Sequence, residues 1–254
     1  MRVVAYTICW NEERMLPFYL RHYSRFCDKI VVYDNRSTDS SRDIVKNFPN
    51  TEVRDFDSGE VIDEMLYLGI KNEAYKEERE KADFVIVGDV DEFLYAPEIL
   101  SVLAGIKRKK ETILTTQGVE MVSDSFPEDD GRQIWQIADK GVLCWAFSKR
   151  ICFSPEIDIN YLAGAHKCCP SGRVRMSNVF AYMLHFKWLG KEHVYDRYYA
   201  YRKRASDWNR EHGVNWKELK ENNWVERMFQ ERMNRKNFVV SEAFDKIRRV
   251  AQSG

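Results

Sequence analysis

The chain has 254 residues, 44% hydrophobic and 13% aromatic, enough for a sizeable core and unlike an intrinsically disordered chain. Forty Lys and Arg balance forty Asp and Glu, and zero net charge gives no general pull toward nucleic acid or an anionic membrane. The length suits one large domain, or one domain with an extension.

Residues 2–9, RVVAYTIC, read as a first strand; the run VVAYTICW is too short to span a bilayer and unlike a signal peptide. NEERMLPFYLRHYSRF reads as a helix, with Met15, Leu16, Tyr19, Tyr23 and Phe26 at helical spacing and Pro17 in the first turn. KIVVYDN is a second strand, and STDSSRDIVKNF opens with cap-type residues and continues as a helix. TEVRDF is a short third strand. VIDEMLYLGIKNEAYKEERE predicts one long amphipathic helix, and DFVIVGD a fourth strand. This alternation predicts an α/β fold with a mostly parallel sheet flanked by helices.

Beyond it, TILTTQGVEMV is strand-like and SDSFPEDDGRQ is a loop. GVLCWAFSKRICFS holds one or two strands, AGAHKCCPSGRVRMS a loop, and FAYMLHFKWL another strand. From residue 191 to 254 the chain reads as a charged helical extension on a main domain of residues 1–190. Trp216, Leu219, Trp224, Met228 and Phe229 are placed to form its docking stripe. The six cysteines form no CxxC pair and read as reduced thiols of a cytosolic protein. Cys168, Cys169 and His166 lie close in sequence, but their spacing fits no zinc motif.

In open α/β sheets, ligands bind beyond the carboxyl ends of the strands. Three such ends carry polar clusters: Asn11 and Glu12, Asp34 to Asp39, and Asp89 to Glu92. Together they predict one acidic crevice. The last cluster interrupts an apolar run, FVIV, with acid–x–acid–acid, and carboxylates so placed need a metal ion or Lys and Arg side chains to offset their repulsion. In an extended segment Asp89 and Asp91 point the same way, and their hard oxygens suit Mn²⁺ or Mg²⁺, which bridges a diphosphate. The structural alternative is a turn paired with basic side chains. An EF-hand would need glycine where Leu94 stands, and an aspartate-nucleophile phosphatase would carry its acids after the first strand. Asp34 and Asp39 can bind a base N–H or ribose hydroxyl, or merely cap a helix. Asn11 and Glu12 can equally be a cap and a first helical turn.

The stretches TICWNEE, VVYDNRSTDSS, GIKNEAYKE and FVIVGDVDEF, in that order, resemble the GT-A glycosyltransferases related to family 2 over residues 3–95. GAHK and LHFKW resemble, more loosely, a bacterial and viral branch close to family 92. The resemblance implies a Rossmann-like GT-A domain. A nucleotide-diphosphate sugar would lie across the first four strand ends. Asp34 and the turn after the first strand would hold its nucleoside, and Asp89 and Asp91 a divalent metal on the diphosphate. Lys71 matches a basic position near the donor. Arg36 departs from the small residue common there, which leaves the base open. His185, in an HF pattern followed by Gly and Lys as in family 8, is a candidate third metal ligand, or a core histidine on an apolar strand. Lys187 and Lys191 are candidate phosphate contacts. His166 could touch donor phosphate or acceptor, or be structural.

The resemblance to family 2 implies inversion with a carboxylate base downstream of the acid pair, for which Glu120, Asp124, Asp129 and Asp130, in or next to the polar loop, are candidates, with Glu120 and Asp124 preferred because they directly follow a predicted strand; the family 8-like pattern would instead imply retention. The acceptor would be a glycan or lipid-linked sugar of surface polysaccharide synthesis. The basic, aromatic run DRYYAYRKRASDWNREH could meet an anionic acceptor or a membrane surface, or be a solvated face. A metal-dependent nucleotidyltransferase should carry a glycine-rich phosphate loop after the first strand, and CWNEER has no glycine. A catalytically silent nucleotide-sugar-binding module is the remaining alternative.

Overall fold

The computed structural model describes residues 1–213, 223–235 and 238–240; for Val179, Phe180 and Phe238 only the backbone is described. The predicted Trp216 and Leu219 of the docking stripe lie outside these residues.

Strand β1 (Val3–Cys9) pairs in parallel with β2 (Lys29–Asp34) and β4 (Phe84–Val87), and β2 with β3 (Thr51–Asp55). The connecting helices are α1 (Leu16–Tyr23), α2 (Ser41–Lys46) and α3 (Glu64–Glu73). Every residue of β1 and β4 is buried, as strands covered on both faces must be. Alternation divides β1 between two cores. Val3 and Ala5 pack with Tyr19, Tyr23 and Phe93, whereas Val4 and Tyr6 pack with Tyr75, Val85 and Phe153. Full burial of side chains of this size contributes roughly 1.5–3 kcal/mol each, which makes these strands the rigid floor of the molecule.

The long helix predicted from residue 61 to 80 is shorter than its pattern. Asp63 caps it, accepting from Met65 N at 3.0 Å and Leu66 N at 3.1 Å. After Glu73 it tightens to a 3-10 turn, Ala74–Glu78. Tyr75 is fully buried there, and its hydroxyl donates to Ile157 O at 3.0 Å and accepts from Ile159 N at 3.0 Å.

The second half of the sheet is mixed. β5 (Glu92–Tyr95) leads into α4 (Ile99–Lys109), an element for which no expectation was drawn although Ile99, Leu103 and Ile106 mark its buried face. β6 (Ile113–Ser123), α5 (Ile134–Ile137), β7 (Lys140–Leu143), β8 (Cys152–Phe153) and β9 (Met176–Leu189) follow. β8 runs antiparallel to β4, and β9 lies between β5, antiparallel, and β6, parallel. After β9 come α6 (Lys191–Arg204), α7 (Asp207–His212), α8 (Trp224–Asn234) and β10 (Phe238–Val239), which pairs with β7.

Trp188, Val194, Tyr198, Val225 and Phe229 form a third core that docks α6 and α8 on β6 and β9, as the apolar stripe predicted for Trp224, Met228 and Phe229. The passage from β9 to α6 requires glycine. Gly190 has φ of 74°, and a Cβ there would stand 2.7 Å from the Phe126 backbone nitrogen. Among the described residues no helix is long and apolar enough to cross a membrane.

Candidate active site

A cleft opens beyond the carboxyl ends of β1 and β4. Trp10 and Glu12, past β1, form one edge, and Asp89 and Asp91, past β4, form the floor. Glu64, Tyr67 and Lys71 of α3, and His185 and Lys187 of β9, complete the walls with His166 and Lys149 from the loops. His185 and Lys187 reach the same cleft because residues two apart on a strand share a face.

The crevice is not acidic on balance, contrary to expectation. Glu12, Glu64, Asp89 and Asp91 line it, but so do Lys71, Lys149, Lys187, Arg197 and Arg204. Asp89 accepts from Lys71 Nζ at 2.6 Å and lies 3.5 Å from Lys149 Nζ. Lys149 is buried against Glu92 at 2.5 Å. Asp91 Oδ2 stands 3.5 Å from Arg197 Nη2 and 3.6 Å from His185 Nε2. Burial pushes both aspartates upward, yet Lys71 and Lys149 hold Asp89, and His185 and Arg197 hold Asp91, well below the usual carboxylate range. Carboxylates that repel one another are thus held ionised by basic groups from four segments distant in the chain.

Arg197 also grips Glu12 with two bonds of 2.7 and 2.8 Å and donates to Tyr201 at 2.5 Å. Burial raises Glu12 to about 7, which Arg197 opposes and Asp91 reinforces. The stabilisation from its protonated form is full below the ordinary value of 4.5 and is lost as pH rises through about 7. Glu12→Gln is therefore expected to flatten the fall in unfolding free energy over that window, measured by urea titration at a series of pH values. A variant with the wild-type slope would show that Arg197 keeps Glu12 ionised throughout.

Of the predicted site residues, Glu12, Lys71, Asp89, Asp91, His166, His185 and Lys187 line the cleft. The structure does not bring the others there. Asn11, at φ of 52°, stitches two turns together: its backbone N–H donates to Ser37 Oγ at 2.9 Å and its Oδ1 accepts from Thr38 N at 2.8 Å. Asp39 accepts from Glu13 N at 3.1 Å and Ser41 N at 2.9 Å. Asp34 is buried; its Oδ2 accepts from Ser37 N at 3.1 Å and Arg42 at 2.8 Å, while Oδ1 has no partner. Glu120 is buried beneath α8, accepting from Trp188 Nε1 at 3.1 Å and lying 3.2 Å from Arg232 Nε. Asp124 is exposed on the loop after β6, and Lys191 pairs with Glu226 outside the cleft. Asp129 and Asp130 are held by Arg21 and Arg132.

Sequence reasoning passed over Trp10, Glu64, Tyr67 and Lys149, and took Arg197, Tyr201 and Arg204 only as part of a basic, aromatic run, although all seven line the cleft. For α6 a signal existed: Val194, Arg197, Tyr198, Tyr201 and Arg204 recur at helical spacing. That stripe faces the cleft rather than solvent, and Arg204 stacks on Trp10 at 3.5 Å from the ring centre. The boundary drawn at residue 190 thus falls where the chain turns from one cleft wall into another.

The donor set suits a divalent cation. Asp91 and His185 stand near the roughly 3–3.5 Å expected of neighbouring donors each about 2.1 Å from one ion. Among the described residues, no three His, Cys, Asp or Glu side chains converge closely enough to hold an ion by themselves, and Cys168 and Cys169 join no such group. Mg²⁺-type ions need no complete protein cage, since one or two carboxylates plus substrate phosphates suffice. The two-ligand arrangement fits that requirement, with Asp89 held beside it by Lys71.

No family model matches the sequence, and no curated protein matches it. Among solved structures, S. aureus TarS 1-349 is similar at a TM-score of 0.44 and 14% identity, covering 80% of this chain and 64% of that one. TarS 1-349 in complex with UDP-GlcNAc gives 0.41 and 15%, covering 80% and 66%. The complex with UDP gives 0.32 and 19%, covering 52% and 37%. The chain therefore spans less than two thirds of these proteins. Similarities this slight leave the chemistry to be argued from the cleft.

Proposed function

We propose that the chain is a metal-dependent glycosyltransferase. It moves a sugar from a nucleotide-diphosphate sugar to a hydroxyl of a glycan or lipid-linked acceptor, with inversion, in surface polysaccharide synthesis on the cytoplasmic side. The observation that carries this reading is the cleft at the carboxyl ends of β1 and β4, where Asp91 and His185 lie together among Lys71, Lys149 and Lys187. Those groups match what a diphosphate and its cation require, and the GT-A resemblance supplies the sugar.

In this reading Asp91 and His185 would hold Mn²⁺ or Mg²⁺ together with the substrate phosphates, with Asp89 beside them on Lys71, and the ion would offset the charge of the leaving diphosphate. Lys187 contacts phosphate, and Lys71 and Lys149 lie within reach of the same charge. Asp34, buried with its Oδ2 held by Ser37 N and Arg42, braces the turn after β2 together with Asn11 and Asp39 rather than touching the nucleoside itself. Tyr67 and the Trp10–Arg204 stack stand beside the nucleoside side of the cleft. His166 faces the donor phosphate or acceptor.

Calorimetry tests the reading. UDP, GDP and UDP-N-acetylglucosamine are each titrated with Mn²⁺ and again with EDTA. Binding of at least one that weakens about tenfold or more without metal is expected, a difference of about 1.4 kcal/mol. Absence of binding to every nucleotide diphosphate in Mn²⁺ would rule the reading out.

A further inference from the structure

Inversion requires a group that removes the acceptor proton, and the cleft narrows the choice. Four carboxylates line it: Glu12, Glu64, Asp89 and Asp91. Glu12 is clamped by Arg197 through two bonds, Asp89 is bound by Lys71, and Asp91 lies between Arg197 and His185. Glu64 forms no ion pair among the described residues. It sits at the first turn of α3, and its carboxylate accepts from Gly164 N at 2.6 Å, which fixes its direction. Its own N–H donates to Asn209 of α7 at 3.4 Å.

We propose that Glu64 is the general base of glycosyl transfer. The acceptor oxygen forms its bond to the anomeric carbon as the bond from that carbon to the phosphate oxygen breaks. The diphosphate leaves with the electron pair, and the hydroxyl proton passes to the Glu64 carboxylate. This rests on the glycosyltransferase reading above.

The surroundings suit the task. Burial raises Glu64 above the ordinary carboxylate range, opposed by the Gly164 N–H and by Lys71 and Lys149, and reinforced by Asp89. A base closer to neutrality is the more effective one, and although Glu12 is raised to about 7 both its oxygens are engaged by Arg197, whereas Glu64 carries no ion pair among the described residues. The competing base in the cleft is His166, which is exposed, has its Nδ1 3.2 Å from Ala146 O, and among the described residues pairs with no carboxylate that would stabilise an imidazolium. Glu120 and Asp124, predicted for this role, do not reach the cleft.

Glu64→Gln keeps an oxygen for the Gly164 N–H while removing the charge. Wild type and variant are compared in calorimetry with UDP and Mn²⁺, and in turnover of whichever nucleotide sugar wild type accepts. The expected result is UDP affinity within about twofold, an unchanged donor KM, and a kcat lowered at least about a hundredfold, the lower end for general-base loss. The acidic limb of the kcat–pH profile should vanish as well. A kcat within a few-fold of wild type, or a retained acidic limb, overturns the assignment. So does a parallel fall in UDP affinity, which would make Glu64 a donor ligand. If wild type itself binds no nucleotide or turns over no nucleotide sugar, the glycosyltransferase reading fails and the base falls with it. Wild-type turnover with an active Glu64→Gln removes only the base.

Discussion

Asp91→Asn is expected to lower kcat/KM for sugar transfer at least about a hundredfold, about 2.7 kcal/mol of transition-state stabilisation, while the protein stays folded. Asparagine keeps the shape and removes the charge. It takes away the carboxylate oxygen that lies 3.6 Å from His185 and 3.5 Å from Arg197. Two cationic or metal-binding groups lose their common anchor, so cation affinity and the position of α6 change together. The Mn²⁺ dependence separates two accounts of the loss. If Asp91 is a ligand, the variant needs more Mn²⁺ for half-maximal rate, and raised Mn²⁺ restores part of it. If Asp91 only orients Arg197, the Mn²⁺ requirement stays where wild type has it. Full activity of Asp91→Asn in excess EDTA would remove the acid pair from the mechanism. Asp89→Asn serves as the companion, because it frees Lys71 from its 2.6 Å partner without touching His185.

Lys149→Met should be the most destabilising single change near the site, by roughly 3–5 kcal/mol. The Lys149 and Glu92 side chains are 5% and 1% exposed, and their contact is 2.5 Å. Removing one partner leaves the other charge in a place that water does not reach. Burial works against the ammonium, but Glu92 and Asp89 prevail and raise Lys149 above its ordinary range. Its stabilisation is therefore full below the unfolded-state value near 10.5 and is lost only as pH rises through the higher folded value, so it persists across neutral pH. Guanidinium titration of the variant measures the loss. The double variant with Glu92→Gln should recover a large part of it, since no uncompensated charge remains. Lys191→Met is the control. Its pair with Glu226 is more than half exposed on both sides and should contribute less than about 1 kcal/mol. Equal losses in Lys149→Met and Lys191→Met would mean that burial of the Lys149 pair has no energetic consequence.

The parallel half of the sheet was legible because its signals are local. Apolar runs such as FVIV mark strands covered on both faces, and helical spacing between them marks the crossovers. Asp89 and Asp91 could be proposed because strand-end position and alternation are also local rules, whereas His185 and Lys187 came from the family resemblance, with alternation placing the two on one face. The early end of α3 was not legible. It follows from Tyr75 bonding to Ile157 and Ile159 more than eighty residues away, which no window on the helix contains. Glu120 shows the converse error. Its place after a strand-like run looked right for a base, but β9 and α8 cover it with Trp188 and Arg232.

By itself, then, the sequence determined the α/β class, the strand ends that carry acids, and the amphipathic faces that build the core, because each depends on spacing within one element. Only the tertiary structure decided how the acids are neutralised. Lys71, Lys149 and Arg197 come from α3, the loop before β8 and α6, and meet Asp89, Asp91 and Glu12 through the packing of these segments over the strand ends. Charge compensation acts through space over a few ångströms, and the chain distance between partners, 185 residues for Glu12 and Arg197, leaves no trace in local pattern.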